Sequence, residues 1–183
     1  QREGFFMGLY LIESSLKEVV STKEELQQKA DALQNKLNEN NATLIELQVS
    51  KDFTRSFFIV ESEERTVATN IFRELEIPVQ LVKEVRLVGK DLEDVKKNNE
   101  VVNYLVEWNI PENITMDQYL ARKQKNSVHY QEVPEVSFSR TYVCEDMTKC
   151  LCFYDAPDEE AVKRAREAVQ TPIDSITEIL SNK

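Results

Sequence analysis

Three cysteines lie close together in the chain: Cys144, then Cys150 and Cys152 inside the stretch CLCFYDAPDEEAVKRA, residues 150–165. Thiolates are soft ligands, and a Cys-x-Cys pair on a strand puts both sulfurs on the same side of it. Cys144, Cys150 and Cys152, with Glu107 as an oxygen donor, are therefore the candidate metal set. The competing reading is packing. The paired Cys-x2-Cys spacing of structural zinc sites is absent, and free cysteine often behaves as a small buried hydrophobe. Two acids, Glu13 and Glu107, form a second constellation, because paired carboxylates do acid–base work or hold a cation. Glu46, Arg140, Tyr142 and Tyr154 complete the candidate ligand-binding groups. His129, the only histidine, has no catalytic or metal-binding partner near it in sequence and reads as a helix-end residue. Trp108 reads as a packing residue. Phosphate loops, nucleophile elbows and His-Glu metal helices are not found.

Glu13 and Glu107 stand 94 residues apart because the chain is written twice. LYLIES from Leu9 aligns with NYLVEW from Asn103, VSKDFTRSFFIV from Val49 with VCEDMTKCLCFY from Val143, and IPVQLVKEV from Ile77 with TPIDSITEI from Thr171. The offset is 94 throughout (104 − 10 for the tyrosines, 172 − 78 for the prolines). Each copy predicts an apolar strand (8–16 and 103–110) and a polar helix (21–40 and 114–129). A hairpin around KDF or EDM, a second helix near Glu63 or Asp158, and a last strand after Pro78 or Pro172 follow. Ser21 or Thr22 caps the first helix, with Glu24 and Glu25 in its first turn. Asp158, Glu159 and Glu160 suit a helix N-terminus. The order β-α-β-β-α-β is the ferredoxin-like plan. The fold expected is α+β: a first ferredoxin-like domain over 7–89, a polar linker over 90–102 with room for a helical turn, and a second domain over 103–183.

Alternation along the strands then sorts side chains by face. Ile45, Leu47, Val49, Phe57 and Ile59 are expected under the helices, as are Ser139, Thr141, Val143, Leu151 and Phe153. The opposite face is expected to carry Glu13, Glu46, Gln48, Phe58, Val60, Glu107, Arg140, Tyr142, Tyr154 and all three cysteines. Such a face is too apolar for water and too polar for a plain core. Two of them would be covered if the domains stacked sheet to sheet as a pseudo-dimer of the dimeric α/β-barrel kind, with Glu46 and Arg140 as equivalent, oppositely charged positions.

The chain has 183 residues, 41% hydrophobic and 31% charged, as in a globular protein. Its net charge of −10 speaks against nucleic acid and anionic membrane surfaces, which require clustered Lys and Arg. No apolar run has the roughly 18 residues of a membrane span. Three cysteines with no export signal point to free thiols in the cytoplasm.

VEWNIP, RTYV and CFYDAPDEEAVKRA through TPIDSITEI in the second copy resemble a family of small ferredoxin-like domains that includes a bacterial nickel-binding protein. The family typically forms face-to-face dimers. The resemblance implies a metal-binding strand His-Ser-Tyr and a histidine in the last helix, but here those positions are Arg140-Thr141-Tyr142 and Ala165. Tyr142 survives, Cys152 matches the family's strand cysteine, and Glu107 matches an acidic position. A nickel or other divalent site would thus need different ligands, such as Glu107 and the cysteines. The expected function is non-enzymatic binding of a small ligand or metal between the sheets, by a monomer or weak homodimer. One alternative is a small monooxygenase-like enzyme working in that cavity; another is a protein-interaction module.

Overall fold

The structure, a computed structural model, describes residues 7–97 and 100–180. The described residues divide into two compact units, with the boundary between Val85 and Arg86, inside the last strand of the first. In the first, β1 (Gly8–Ser14), α1 (Lys23–Glu39), β2 (Thr43–Val49), β3 (Ser56–Ser62), α2 (Arg65–Glu74) and β4 (Leu81–Val88) follow the ferredoxin-like order. Its strands lie β2-β3-β1-β4, antiparallel throughout. Thr22 caps α1 by accepting from the Glu25 amide at 3.1 Å, while Glu25 reaches back to the Ser21 amide at 2.7 Å. Ile12, Phe58 and Val60 on the sheet pack with Leu33 and Leu37 of α1 and with Ile71 and Phe72 of α2.

The second unit opens with α3 (Leu92–Lys96), a short helix inside the expected linker, of which residues 98 and 99 lie outside the described residues. Then come β5 (Tyr104–Asn109), α4 (Met116–Asn126) with a 3-10 turn (Ser127–Glu132), β6 (Ser137–Cys144), β7 (Lys149–Asp155), α5 (Glu159–Ala168) and β8 (Ser175–Glu178). The strands lie β6-β7-β5-β8, again antiparallel. Thr115 closes a reciprocal capping box with Gln118 at the start of α4, and Asp158 caps α5 by accepting from the Ala161 amide at 2.8 Å.

The two units share local geometry residue by residue. Register shifts fall between Leu44 and Glu46 and between Phe138 and Arg140. Left-handed backbone occurs at Phe53 and Met147 in the hairpins, and at Glu76 and Gln170 just past α2 and α5. Asp52 accepts from the Thr54 amide and hydroxyl at 3.1 and 2.6 Å, and Asp146 does the same with Thr148. The hydroxyl and amide of Thr54 hold the Asp52 carboxyl down at about 2.

Candidate functional site

The register corrects part of the face assignment. Thr141 pairs with Cys152 and Val143 with Cys150, so those cysteines share a face with Val106, Trp108 and Val143, under the helices. Tyr154 lies on that side too, in the same core. Leu151 and Phe153 take the opposite face, where Tyr142 meets Phe153 edge-on at 6.2 Å and Arg140 sits over it at 5.3 Å. In the first unit Phe58 and Val60 likewise belong under the helices, and Phe57 and Ile59, one residue out of phase, do not. The physical reason is that SFFIV and CLCFY are apolar on both faces, so alternation has no phase to read in them.

The expected metal set therefore does not assemble. Cys144 follows Val143 in β6 and faces away from the helices, and Glu107 pairs with Leu151 on that same opposite side. Glu107 is bound to Lys149 at 2.7 Å, and its equivalent Glu13 to Arg55 at 3.1 Å. Glu46 accepts from the Gln48 amide group at 2.9 Å, and Arg140 donates to Ser139 at 2.6 Å. Among the described residues no group of three or more His, Cys, Asp or Glu could hold a metal ion. His129 lies in the exposed 3-10 turn against Glu132 at 2.5 Å. The expected set of Cys144, Cys150, Cys152 and Glu107 is thus split between the two faces of the sheet.

What the structure does bring together lies between the sheet and α4 and α5 of the second unit. Sequence reasoning missed its centre, Arg166, which is 2% exposed in α5. Its Nη1 donates to the Tyr154 hydroxyl at 3.0 Å and its Nη2 to the Pro172 carbonyl at 2.7 Å, while its Nε has no hydrogen-bond partner. The Tyr154 hydroxyl also meets that of Tyr130 at 2.7 Å. Burial pushes the Tyr154 phenol up to about 12, so it stays neutral. Burial works against the Arg166 charge, yet Cys152 and the two phenols hold its pKa above the ordinary value.

Cys152 lies beside this arginine, 1% exposed, with Thr141 donating to its sulfur at 3.2 Å. A hydrogen bond from Cys150 is the largest effect lowering the Cys152 pKa well below the usual thiol value. The charges of Lys123 and Arg166 act the same way, against burial. Cys150 moves up in turn, by that same bond and by burial, and so remains the protonated partner. The cleft over these groups is small, with a cavity volume of about 20 Å³, and is lined by Trp108, Tyr119, Arg122, Lys123, Tyr130, Cys152 and Arg166, among others. Three of its walls are cationic, and Arg122 stacks on Trp108 at 5.4 Å.

The first unit provides an internal comparison. The positions 94 residues before Thr141, Cys152, Tyr154 and Arg166 hold Leu47, Phe58, Val60 and Phe72. Phe58 and Phe72 meet edge-on at 4.8 Å inside an apolar cluster. The same scaffold position is plain packing in one copy and a polar, cationic cleft in the other. The offset was the signal that could have found Arg166, which otherwise hides among the charged residues of EEAVKRAREA.

Comparison with known proteins bears on the same unit. The model of the family described as "Nickel responsive protein SCO4226-like" matches residues 104–179. Among curated proteins none matches. The crystal structure of SCO4226 from Streptomyces coelicolor A3(2) is 22% identical over 42% of this chain and 93% of its own, with a TM-score of 0.36. A structure named "Putative Chlorite dismutase TA0507" is 10% identical over 95% of this chain and 94% of its own, at a TM-score of 0.56, a likeness of fold alone. Another, a "Putative monooxygenase (FN1347)" from Fusobacterium nucleatum, is 11% identical over 97% and 93%, at 0.46. Over residues 104–179 the second unit thus matches the SCO4226-like family model, in line with its sequence resemblance.

Proposed function

We propose that this protein binds a small anionic ligand in the cleft of its second unit, with Arg166 as the anchor. One observation carries the reading: a guanidinium 2% exposed, with a free Nε, stands where the other copy of the fold has Phe72. Burying a charge with an unused donor is costly unless a partner arrives, and an oxyanion is the natural partner of a guanidinium fork. Lys123 and Arg122 add positive potential at the walls. The roles divide accordingly: Arg166 binds, Tyr154 and Tyr130 fix its orientation, and Trp108 and Tyr119 form the apolar sides.

Trp108 is the only tryptophan, so its emission reports the cleft. Titration of the full chain with inorganic phosphate, sulfate and acetate is expected to give a saturable change for at least one of them. Lys123→Met should weaken it by about tenfold, the loss of one charge-assisted contact. No saturable change with any of the three would sink the reading.

A second reading has its own support. Kinship of the second unit with a nickel responsive family suggests a metal-linked role, and two adjacent thiols on one face suit a soft ion better than a divalent oxygen-loving one. Elemental analysis of the protein, as isolated and after loading with nickel, zinc, copper and cobalt and dialysis, decides this. Retained metal that disappears in Cys152→Ser supports it, and no retained metal ends it.

A further inference from the structure

A guanidinium is always protonated, and the buried one at Arg166 has no carboxylate beside it. Its hydrogen bonds go to the Tyr154 hydroxyl and the Pro172 carbonyl. Of the residues that line the cleft, Arg122, Lys123 and Arg166 are cationic and none is Asp or Glu. Arg122 donates to the Gln170 carbonyl and stacks on Trp108, and Lys123 stands over the Phe138 ring at 4.3 Å. Cys152, even counted as a thiolate, sets one negative charge against these three.

The hydroxyls behind Arg166 run in one direction. The Tyr154 oxygen accepts from Arg166 Nη1 at 3.0 Å, and Tyr154 is 0% exposed with one other hydrogen-bond partner, the Tyr130 hydroxyl at 2.7 Å. The Tyr154 proton therefore goes to the Tyr130 oxygen. That leaves the Tyr130 proton unused, and Tyr130, unlike Tyr154, lines the cleft. A hydrogen-bonded chain that begins on a cation is polarised along its length, which strengthens its last donor.

We propose that a single chloride ion is the resting occupant of the cleft, held by the Tyr130 hydroxyl and the charges of Arg166 and Lys123, and that any larger anion must displace it. The proposal rests on the ligand reading for the place of the site, and adds its regulation by halide. Size selects the ion. The cavity of about 20 Å³ exceeds the roughly 10–15 Å³ that one water-sized occupant needs. It takes a one-atom anion whole, but only the leading oxygen of phosphate or sulfate. Hydration selects among the halides. Trp108, Tyr119 and Tyr130 replace few of the ion's water contacts, so fluoride, which holds its water most tightly, is excluded, whereas chloride and bromide enter.

The test uses the full chain, freed of chloride, in mixtures of sodium chloride and sodium fluoride at fixed ionic strength. Two readouts are followed: the width of the chloride NMR line, which grows when ions exchange onto a protein, and Tm. The natural chain should broaden the line saturably, bromide should narrow it again, and Tm should rise as chloride replaces fluoride. Tyr130→Phe keeps the ring, removes the last donor of the chain and should weaken chloride by about tenfold. Lys123→Met, at a half-buried position, should do the same and serves if Tyr130→Phe does not fold. No excess broadening, a Tm that is the same in chloride and fluoride, or broadening that either folded variant leaves unchanged overturns the proposal. The phosphate, sulfate and acetate titrations, repeated with and without chloride, separate the two claims. An oxyanion that saturates the Trp108 signal should need more ligand in proportion as chloride is added. Saturation that chloride leaves unchanged keeps the ligand reading and overturns this inference. Chloride binding with no response to any of the three oxyanions does the reverse.

Discussion

At the scale of single residues, the hydrogen-bonded Arg166–Tyr154–Tyr130 chain is costly to disturb. Tyr154→Phe keeps the ring but removes the hydroxyl that receives Arg166 Nη1 and meets Tyr130. It leaves those two buried groups short of a partner, so we expect stability to fall by about 1–3 kcal/mol, read from the urea midpoint at unchanged slope. The thiols make a pH signature. The folded pKa of Cys152 lies below that of an unfolded thiol, about 8.5, so its contribution is complete above that pH and is lost as pH falls through the lowered value. Cys150 and Cys144 are shifted upward, Cys150 chiefly by its bond to Cys152 and Cys144 chiefly by burial. Their contribution is complete below about 8.5 and lost above it. Stability of the natural chain should therefore rise with pH towards about 8.5 with a slope that Cys152→Ser lacks, in urea midpoints taken from about pH 6 to 9. Identical slopes in the two chains would show that Cys152 carries no such shift.

At the scale of elements, α2 and α5, like α1 at Asn41, end at a left-handed residue that is not glycine. Glu76 and Gln170 have φ of 58° and 55° and are exposed. Glu76→Gly and Gln170→Gly remove the cost of a side chain in that conformation and should each stabilise by about 1 kcal/mol, seen as a higher Tm. An unchanged or lower Tm would mean that these side chains make contacts outweighing the strain. The elements were also what the sequence showed best. The capping at Thr22 and Asp158, the hairpin turns and the element order follow from local chemistry. What stayed hidden was strand phase. In β2 the alternation of Glu46, Leu47 and Gln48 was readable and held, whereas in β3 and β7 both faces are apolar, so the positions of Cys150, Cys152 and Tyr154 were assigned to the wrong side. Arg166 was invisible for the opposite reason. A charged residue in a charged helix reads as solvated, and only the contrast with Phe72 singles it out.

At the scale of the whole molecule, each unit has its own core, and Trp108 sits in only the second. Phe72→Ala empties a buried site in the first unit and should cost about 3–5 kcal/mol. The native emission of Trp108 should nevertheless keep its position, because its surroundings belong to the other core, whereas Arg166→Lys should shift it. A Phe72→Ala spectrum displaced in the native state would mean that the cleft's shape depends on the first core.

The exchange of Phe58 and Phe72 for Cys152 and Arg166 between the copies also sets a stoichiometry. A symmetric pair of such domains would carry two equal sites, whose occupancies could influence each other. Here one half fills with phenylalanine the place where the other half keeps its cleft, so the described residues offer a single cleft of this kind. Saturation should follow a simple hyperbola with one equivalent per chain.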